Sequence, residues 1–148
     1  MSTYTQIYYH LVFSTRDRQP VLRTDFKEDL LRYIWGIVKN RNCYLHRINS
    51  VPDHLHMLID LHPTVDLASL VRDMKTSTTL WIRQKLQIAR FPGWQDGYGA
   101  FTKSHQERDM IIEYIKNQEE HHKRVSFVDE LKNLLMQEGI EYDERYLV

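Results

Sequence analysis

Two histidines one residue apart, His54 and His56, stand in the run Asp53-His54-Leu55-His56-Met57-Leu58-Ile59. The run is apolar enough to form a central strand, where residues i and i+2 project from one face. The two imidazoles would then stand side by side, while Leu55 and Met57 enter the opposite, packed face. A buried strand is a costly place for two unpartnered histidines. Two neutral imidazoles suit a divalent cation and leave coordination positions open to substrate. A hydrogen-bonded histidine pair on a sheet face would also account for the spacing.

A second group lies in Glu113-Tyr114-Ile115-Lys116-Asn117-Gln118. On a helix, Tyr114 and Gln118 are four residues apart and share a face. At about 100° per residue they lie at the edge of the stripe formed by Ile111, Ile112 and Ile115. From that edge a phenol and an amide look into a cleft between helix and sheet. The Gln118 carbonyl oxygen is a weak but legitimate ligand for a hard cation such as Mg²⁺. A tyrosine hydroxyl, with a pKa of roughly 10, is a poor nucleophile near neutral pH. A metal polarising a phosphate, or an adjacent base, would activate it. A boundary tyrosine that only packs is the plainer alternative.

The elements that must position these groups can be read from the pattern. Residues 5–14 are β-branched and aromatic without Gly or Pro, and predict a strand. Asp25, with Glu28 three residues on, predicts the start of a helix reaching about Arg41. Residues 43–51 and 54–61 predict two strands around a Pro52-Asp53 turn. Asp66 predicts the cap of a helix to about Leu86, broken by Phe91-Pro92-Gly93. Residues 94–104 read as a loop leading into a short strand. Ser104 is expected to cap a helix over about 105–122, and a fourth helix is expected over about 126–138, ending at Gly139. The tail from Ile140 is expected to be extended. The order β-α-β-β-α-β followed by helices predicts an α+β, ferredoxin-like (split β-α-β) fold. That plan has a four-stranded antiparallel sheet with helices on one face and additional C-terminal helices. Such a fold hosts many functions, so function must be argued from the site.

The histidine strand and the later Tyr-x-x-x-Gln helix together resemble the HUH-superfamily single-tyrosine transposases. These are the transposases of the smallest single-strand DNA insertion sequences and their repeat-associated relatives. The resemblance runs along nearly the whole chain. It takes in Tyr9-His10-Leu11-Val12-Phe13-Ser14-Thr15, Val51-Pro52-Asp53-His54-Leu55-His56 and Leu70-Val71-Arg72-Asp73-Met74-Lys75. It continues through Trp94 to Phe101, Tyr114-Ile115-Lys116-Asn117-Gln118 with His121-His122, and Gly139 to Leu147. The resemblance implies that His54, His56 and Gln118 hold a divalent metal, Mg²⁺ or Mn²⁺. It implies that Tyr114 attacks a phosphodiester of single-stranded DNA to give a 5′-phosphotyrosine and a free 3′-OH. It also implies a homodimer acting on DNA with hairpin ends. A catalytically silent hairpin-binding regulator on the same fold is the alternative, and a phosphoesterase using water a third.

The 148 residues carry 20 basic and 20 acidic side chains, so net charge alone argues nothing for nucleic acid. The balance is uneven, however. Residues 1–124 hold 18 basic and 14 acidic groups, and residues 125–148 hold 2 and 6. Arg72, Lys75 and Arg83 fall in a locally basic stretch and are the candidates for backbone-phosphate contact. His121, close to Tyr114 around the helix, is a candidate for proton transfer or DNA contact; His10 and His46 fall on strands, as structural or DNA-proximal groups. The single Cys43 excludes an intramolecular disulfide and a multi-cysteine zinc site. No apolar run approaches the roughly 18 residues of a membrane span, and Met1 to Gln6 lacks signal-peptide character. The expectation is one cytoplasmic domain over 1–148, with a catalytic core over about 5–122 and a C-terminal helix and acidic tail over about 123–148.

Overall fold

In the computed structural model, which describes residues 1–147, the first β-branched and aromatic run becomes β1 (Tyr8–Ser14), an inner strand of a four-stranded sheet. β2 (Tyr44–Val51) and β3 (His54–Asp60) form a hairpin around Pro52 and Asp53. β3 runs antiparallel to β1, with Val12 opposite His56 and Ser14 opposite His54. β4 (Gly99–Lys103) pairs with the other side of β1. The order β2-β3-β1-β4 is the ferredoxin-like arrangement expected from the sequence.

Alternation along the strands divides the chemistry between two faces. Leu11, Phe13, Leu55, Met57 and Ile59 enter the main core. There they meet Leu30, Ile34 and Val38 of α1 (Lys27–Asn40) and Leu70 and Met74 of α2 (Leu67–Leu80). Each such buried side chain contributes roughly 1.5–3 kcal/mol, so this layer is the main source of stability. The second face is covered by α3 (Arg108–Lys116), α4 (Gln118–His121) and α5 (Phe127–Gln137). Its apolar contacts form two small clusters. Tyr8 and Leu58 pack with Ile111 and Ile115, and Val12 and Phe101 pack with Phe127, Leu134 and Leu135. The strand residues left on that face include His10, His54 and His56, all buried.

Gly99, opposite Val12, permits the close approach of β4 to β1. A Cβ there would stand 2.8 Å from Val12 Cγ1 and 3.2 Å from the Phe101 ring.

Several local expectations are corrected. Asp25 does not cap α1; its carboxylate takes two hydrogen bonds from Arg23, and a 3₁₀ turn over Thr24–Phe26 leads into the helix. Asp66 does cap α2, accepting from the Ala68 N–H. Regular α-helix stops at Leu80 and widens into a π-turn over Trp81–Lys85. Just upstream, the Thr78 and Thr79 hydroxyls donate to the Met74 and Lys75 carbonyls, a pattern that bends helices. The single helix expected over 105–122 is in three pieces. Ser104 caps the first turn as expected, in a capping box with Glu107, but the helix is interrupted at Asn117. There the Asn49 side-chain amide of β2 donates to the carbonyls of Ile115 (3.0 Å) and Lys116 (3.2 Å). The tail is not simply extended: Glu144–Tyr146 forms a 3₁₀ turn capped by Asp143, and Tyr142 and Leu147 pack against the α5 cluster. Among the described residues, no helix is long and apolar enough to cross a membrane.

Candidate active site

The hairpin turn and β3 orient the two histidines differently. Asp53, the last turn residue, places Oδ1 2.7 Å from His54 Nδ1. That nitrogen donates to the carboxylate, so His54 Nε2 is directed into the space between sheet and helices. A carboxylate behind a histidine is the usual device for fixing a metal-binding imidazole. His56 is backed by a second ring: His10 Nε2 lies 2.8 Å from His56 Nδ1, and the rings stack with centroids 5.0 Å apart. On its other side His56 Nε2 lies 2.9 Å from Glu130 Oε1. Donation from His56 to this carboxylate requires Nδ1 to accept from His10, which leaves His10 Nδ1 bare. That atom is indeed buried without a partner.

α3 and α4 bring the other predicted residues to the same place. Tyr114 donates its hydroxyl proton to Glu130 Oε2, and Gln118 Nε2 donates to the same oxygen at 3.1 Å. The Gln118 Oε1 lies 3.4 Å from His54 Nε2, and Gln118 is fully buried. His122 Nε2 reaches Glu130 Oε1 at 3.1 Å. His121 Nε2 lies 3.3 Å from Oε2, outside hydrogen-bonding geometry. All four residues predicted from the two motifs thus surround one carboxylate from α5.

The electrostatics follow from this arrangement. Burial alone would raise the Glu130 carboxyl, but hydrogen bonds from His122, His54 and His56 outweigh it and hold the group well below the usual carboxylate range. Burial opposes charge on His54, yet its bonds to Asp53 and Glu130 prevail and push its pKa up. His56 and His10 go the other way: burial lowers them to about 4 and about 3, in spite of Glu130. Burial, then the Glu130 charge, pushes the Tyr114 phenol up.

The donor set fits a metal ion. Ligand atoms of His54, His56, His122 and Glu130 all lie within 4.8 Å of one another. His54 already has its remote nitrogen protonated toward Asp53, as a metal-binding imidazole requires.

Glu130, His122, Asp53 and the pairing of His10 with His56 are not singled out as site residues by the sequence reading. One signal for Glu130 was available. It falls three residues after Phe127 and four before Leu134, an acid on the apolar stripe of its own helix. Asp53 was visible as the carboxylate next to the first histidine.

Arg72, Lys75 and Arg83 lie elsewhere, on and beyond α2, on the other side of the sheet. With Arg16, Trp94 and Tyr98 they line a cleft of about 560 Å³. Lys75 donates to the carbonyls of Gln95 and Gly97, at 2.8 and 2.6 Å, and Arg83 to that of Phe91, at 2.9 Å. These two cations therefore already hold the loop that follows α2.

Comparison with known proteins finds relatives in sequence and in fold. The ISDra2 transposase TnpA of Deinococcus radiodurans is 23% identical over 120 residues, spanning 76% of this chain and 84% of that protein. A Deinococcus radiodurans R1 crystal structure assigned as a transposase superposes with a TM-score of 0.63 at 23% identity, over 80% of this chain and 95% of that one. A REP-associated tyrosine transposase bound to a REP hairpin superposes with a TM-score of 0.61 at 19% identity, over 84% and 76%. These two likenesses establish the fold. The family described as "Transposase IS200 like" matches residues 3–118, which takes in β1, the histidine strand, Tyr114 and Gln118. The chain belongs to the IS200-like family of tyrosine transposases.

Proposed function

We propose that the chain cleaves and rejoins single-stranded DNA through a covalent bond between Tyr114 and a 5′-phosphate. One observation carries this reading. The Tyr114 hydroxyl, the Gln118 amide and the His54 and His56 imidazoles converge on a single oxyanion, the Glu130 carboxylate. A phosphodiester presents oxygens of the same charge, so groups gathered around this carboxylate can gather around a phosphate.

Tyr114 Oη attacks the phosphorus, forming the Oη–P bond as the P–O3′ bond breaks. The phenolic proton passes to solvent, and the departing 3′ oxygen takes up a proton. In rejoining, a 3′-hydroxyl attacks the same phosphorus, the P–Oη bond breaks and Tyr114 regains its proton. One phosphate ester replaces another at each step, so no ATP is consumed. His54, His56 and Gln118 are the residues that would hold a divalent cation, Mg²⁺ or Mn²⁺, in the DNA-bound protein. When bound, that ion supplies positive charge against the non-bridging phosphate oxygens. Asp53 and His10 keep the two rings oriented.

Single strands with hairpin ends are the assigned substrate, a reading supported by the related transposase bound to a REP hairpin. Arg72, with Lys75 and Arg83 beside it, is assigned to backbone phosphates along the α2 cleft. The open edges of β2 and β4 suit pairing between two copies in a homodimer.

A labelled hairpin-bearing single strand from the flanks of the coding sequence, incubated with Mg²⁺ or Mn²⁺, should yield a denaturant-stable protein–DNA adduct. Tyr114→Phe removes one oxygen and should abolish the adduct while leaving DNA binding within about twofold. Adduct formation by that variant, or equal rates on fully paired duplex, overturns the reading.

A further inference from the structure

We propose that, in the absence of DNA, the C-terminal segment closes the metal site. His122 and Glu130 join His54 and His56 as ligands of a four-coordinate transition-metal ion of the zinc class, which fastens α5 to the sheet. The inference rests on the assignment of His54 and His56 as metal ligands.

Three observations converge on it. First, the ligand atoms of these four residues lie within 4.8 Å of one another, and they come from β3, the turn after α4, and α5. Secondly, Glu130 is only 2% exposed on the stripe that otherwise buries Phe127, Leu134 and Leu135. A carboxylate in that position is retained at a desolvation cost unless it is paired or bound to a metal. The apolar cluster under α5 has five buried residues, and beside it the carboxylate ties this helix to β3 and α4. Thirdly, the donors are three imidazole nitrogens and one carboxylate oxygen. That set favours zinc-class ions; Mg²⁺ prefers oxygen ligands in an octahedron and keeps several waters.

Four protein ligands make a closed site with no position for a phosphate oxygen. In this state Gln118 is not a ligand but donates to Glu130. Release of α5, together with the turn that leads into it from α4, withdraws both Glu130 and His122. It leaves the two imidazoles and Gln118 for the cation and the DNA. The acidic excess of residues 125–148 sets this segment against an incoming phosphate, so that segment and DNA compete for one place.

The test uses the full-length chain without DNA. Zn²⁺ affinity is measured by competition with a chromophoric chelator, and coordination by the visible absorption of the Co²⁺ protein. The wild type should bind one Zn²⁺ and show the intense spectrum of four-coordinate Co²⁺. His122→Ala and Glu130→Gln should each weaken Zn²⁺ binding by roughly tenfold or more and lose that spectrum. Zn²⁺ should also slow tryptic cleavage after Lys123 and Arg124 in the wild type but in neither variant. If Glu130→Gln fails to fold, His122→Ala carries the test, since that side chain is already partly exposed. Unchanged Zn²⁺ affinity and unchanged Co²⁺ spectra in His122→Ala overturn the closure. If His54→Ala then removes Zn²⁺ binding, the two-histidine site stands and only the closure falls. If His54→Ala binds Zn²⁺ as well as the wild type, the metal site itself is misassigned.

Discussion

Lowering the pH from 7.5 to 5.0 should destabilise the metal-free protein, chiefly through His10 and His56. Both rings are buried and held neutral, at about 3 and about 4 against the usual histidine value of 6.5. A histidine whose folded value is depressed contributes stability that is complete above 6.5 and is lost as pH falls toward the folded value. At pH 5.0 the unfolded chain protonates both rings while the folded chain protonates almost neither. At about 1.4 kcal/mol per pH unit over 1.5 units, each ring removes roughly 2 kcal/mol. His54 is raised, so it works in the opposite sense and offsets part of the sum. Glu130 adds little above pH 5, because an unfolded glutamate is already largely ionised there. A net loss of roughly 2–4 kcal/mol is a large share of the 5–15 kcal/mol typical of a domain. Urea unfolding followed by circular dichroism at both pH values, in EDTA, measures it. His10→Gln removes one titrating ring, and the pH-dependent loss should shrink by about 2 kcal/mol. The same pH dependence in His10→Gln and wild type, or a wild type more stable at pH 5.0 than at 7.5, would refute the reasoning.

Asp53→Asn removes the carboxylate that fixes His54, and should weaken divalent-metal binding by roughly tenfold to a hundredfold in calorimetry without changing the fold. An affinity equal to wild type would count against His54 as a ligand. Gly99→Ala places a Cβ 2.8 Å from Val12 Cγ1, and should cost about 1–3 kcal/mol in denaturant unfolding. A neutral result would mean that β4 moves away from β1 freely.

The sheet was legible because its strands alternate cleanly: Leu55, Met57 and Ile59 on one face, His54 and His56 on the other. The meeting of Tyr114 with the histidines was implied by the family resemblance; spacing on the helix and on the strand fixes only the face that each occupies. The breaks inside helices were hidden. Asn117 interrupts the Tyr114 helix where Asn49, nearly seventy positions earlier, takes its carbonyls, and no local pattern announces a partner so distant. The π-turn after Leu80 depends on which carbonyls Thr78 and Thr79 choose. Glu130 falls on the apolar stripe of α5 by position, but an acidic side chain is ordinarily solvent-facing by type. Only the three-dimensional meeting of β3, α4 and α5 shows what partners compensate its burial.

The interruption at Asn117 also separates two tasks. In an unbroken helix, a nucleophile and a ligand four residues apart share one axis, and any rotation moves both. Here the strand's amide takes two of the carbonyls at the end of α3, and Gln118 starts a short segment with its own direction. The aim of the phenol is set by how α3 lies on Leu58, and the aim of the amide by how α4 leaves Asn117. Under the proposed roles, substitutions around one would retune cleavage chemistry while leaving the other's hold on an ion intact, a modularity that a continuous helix does not offer.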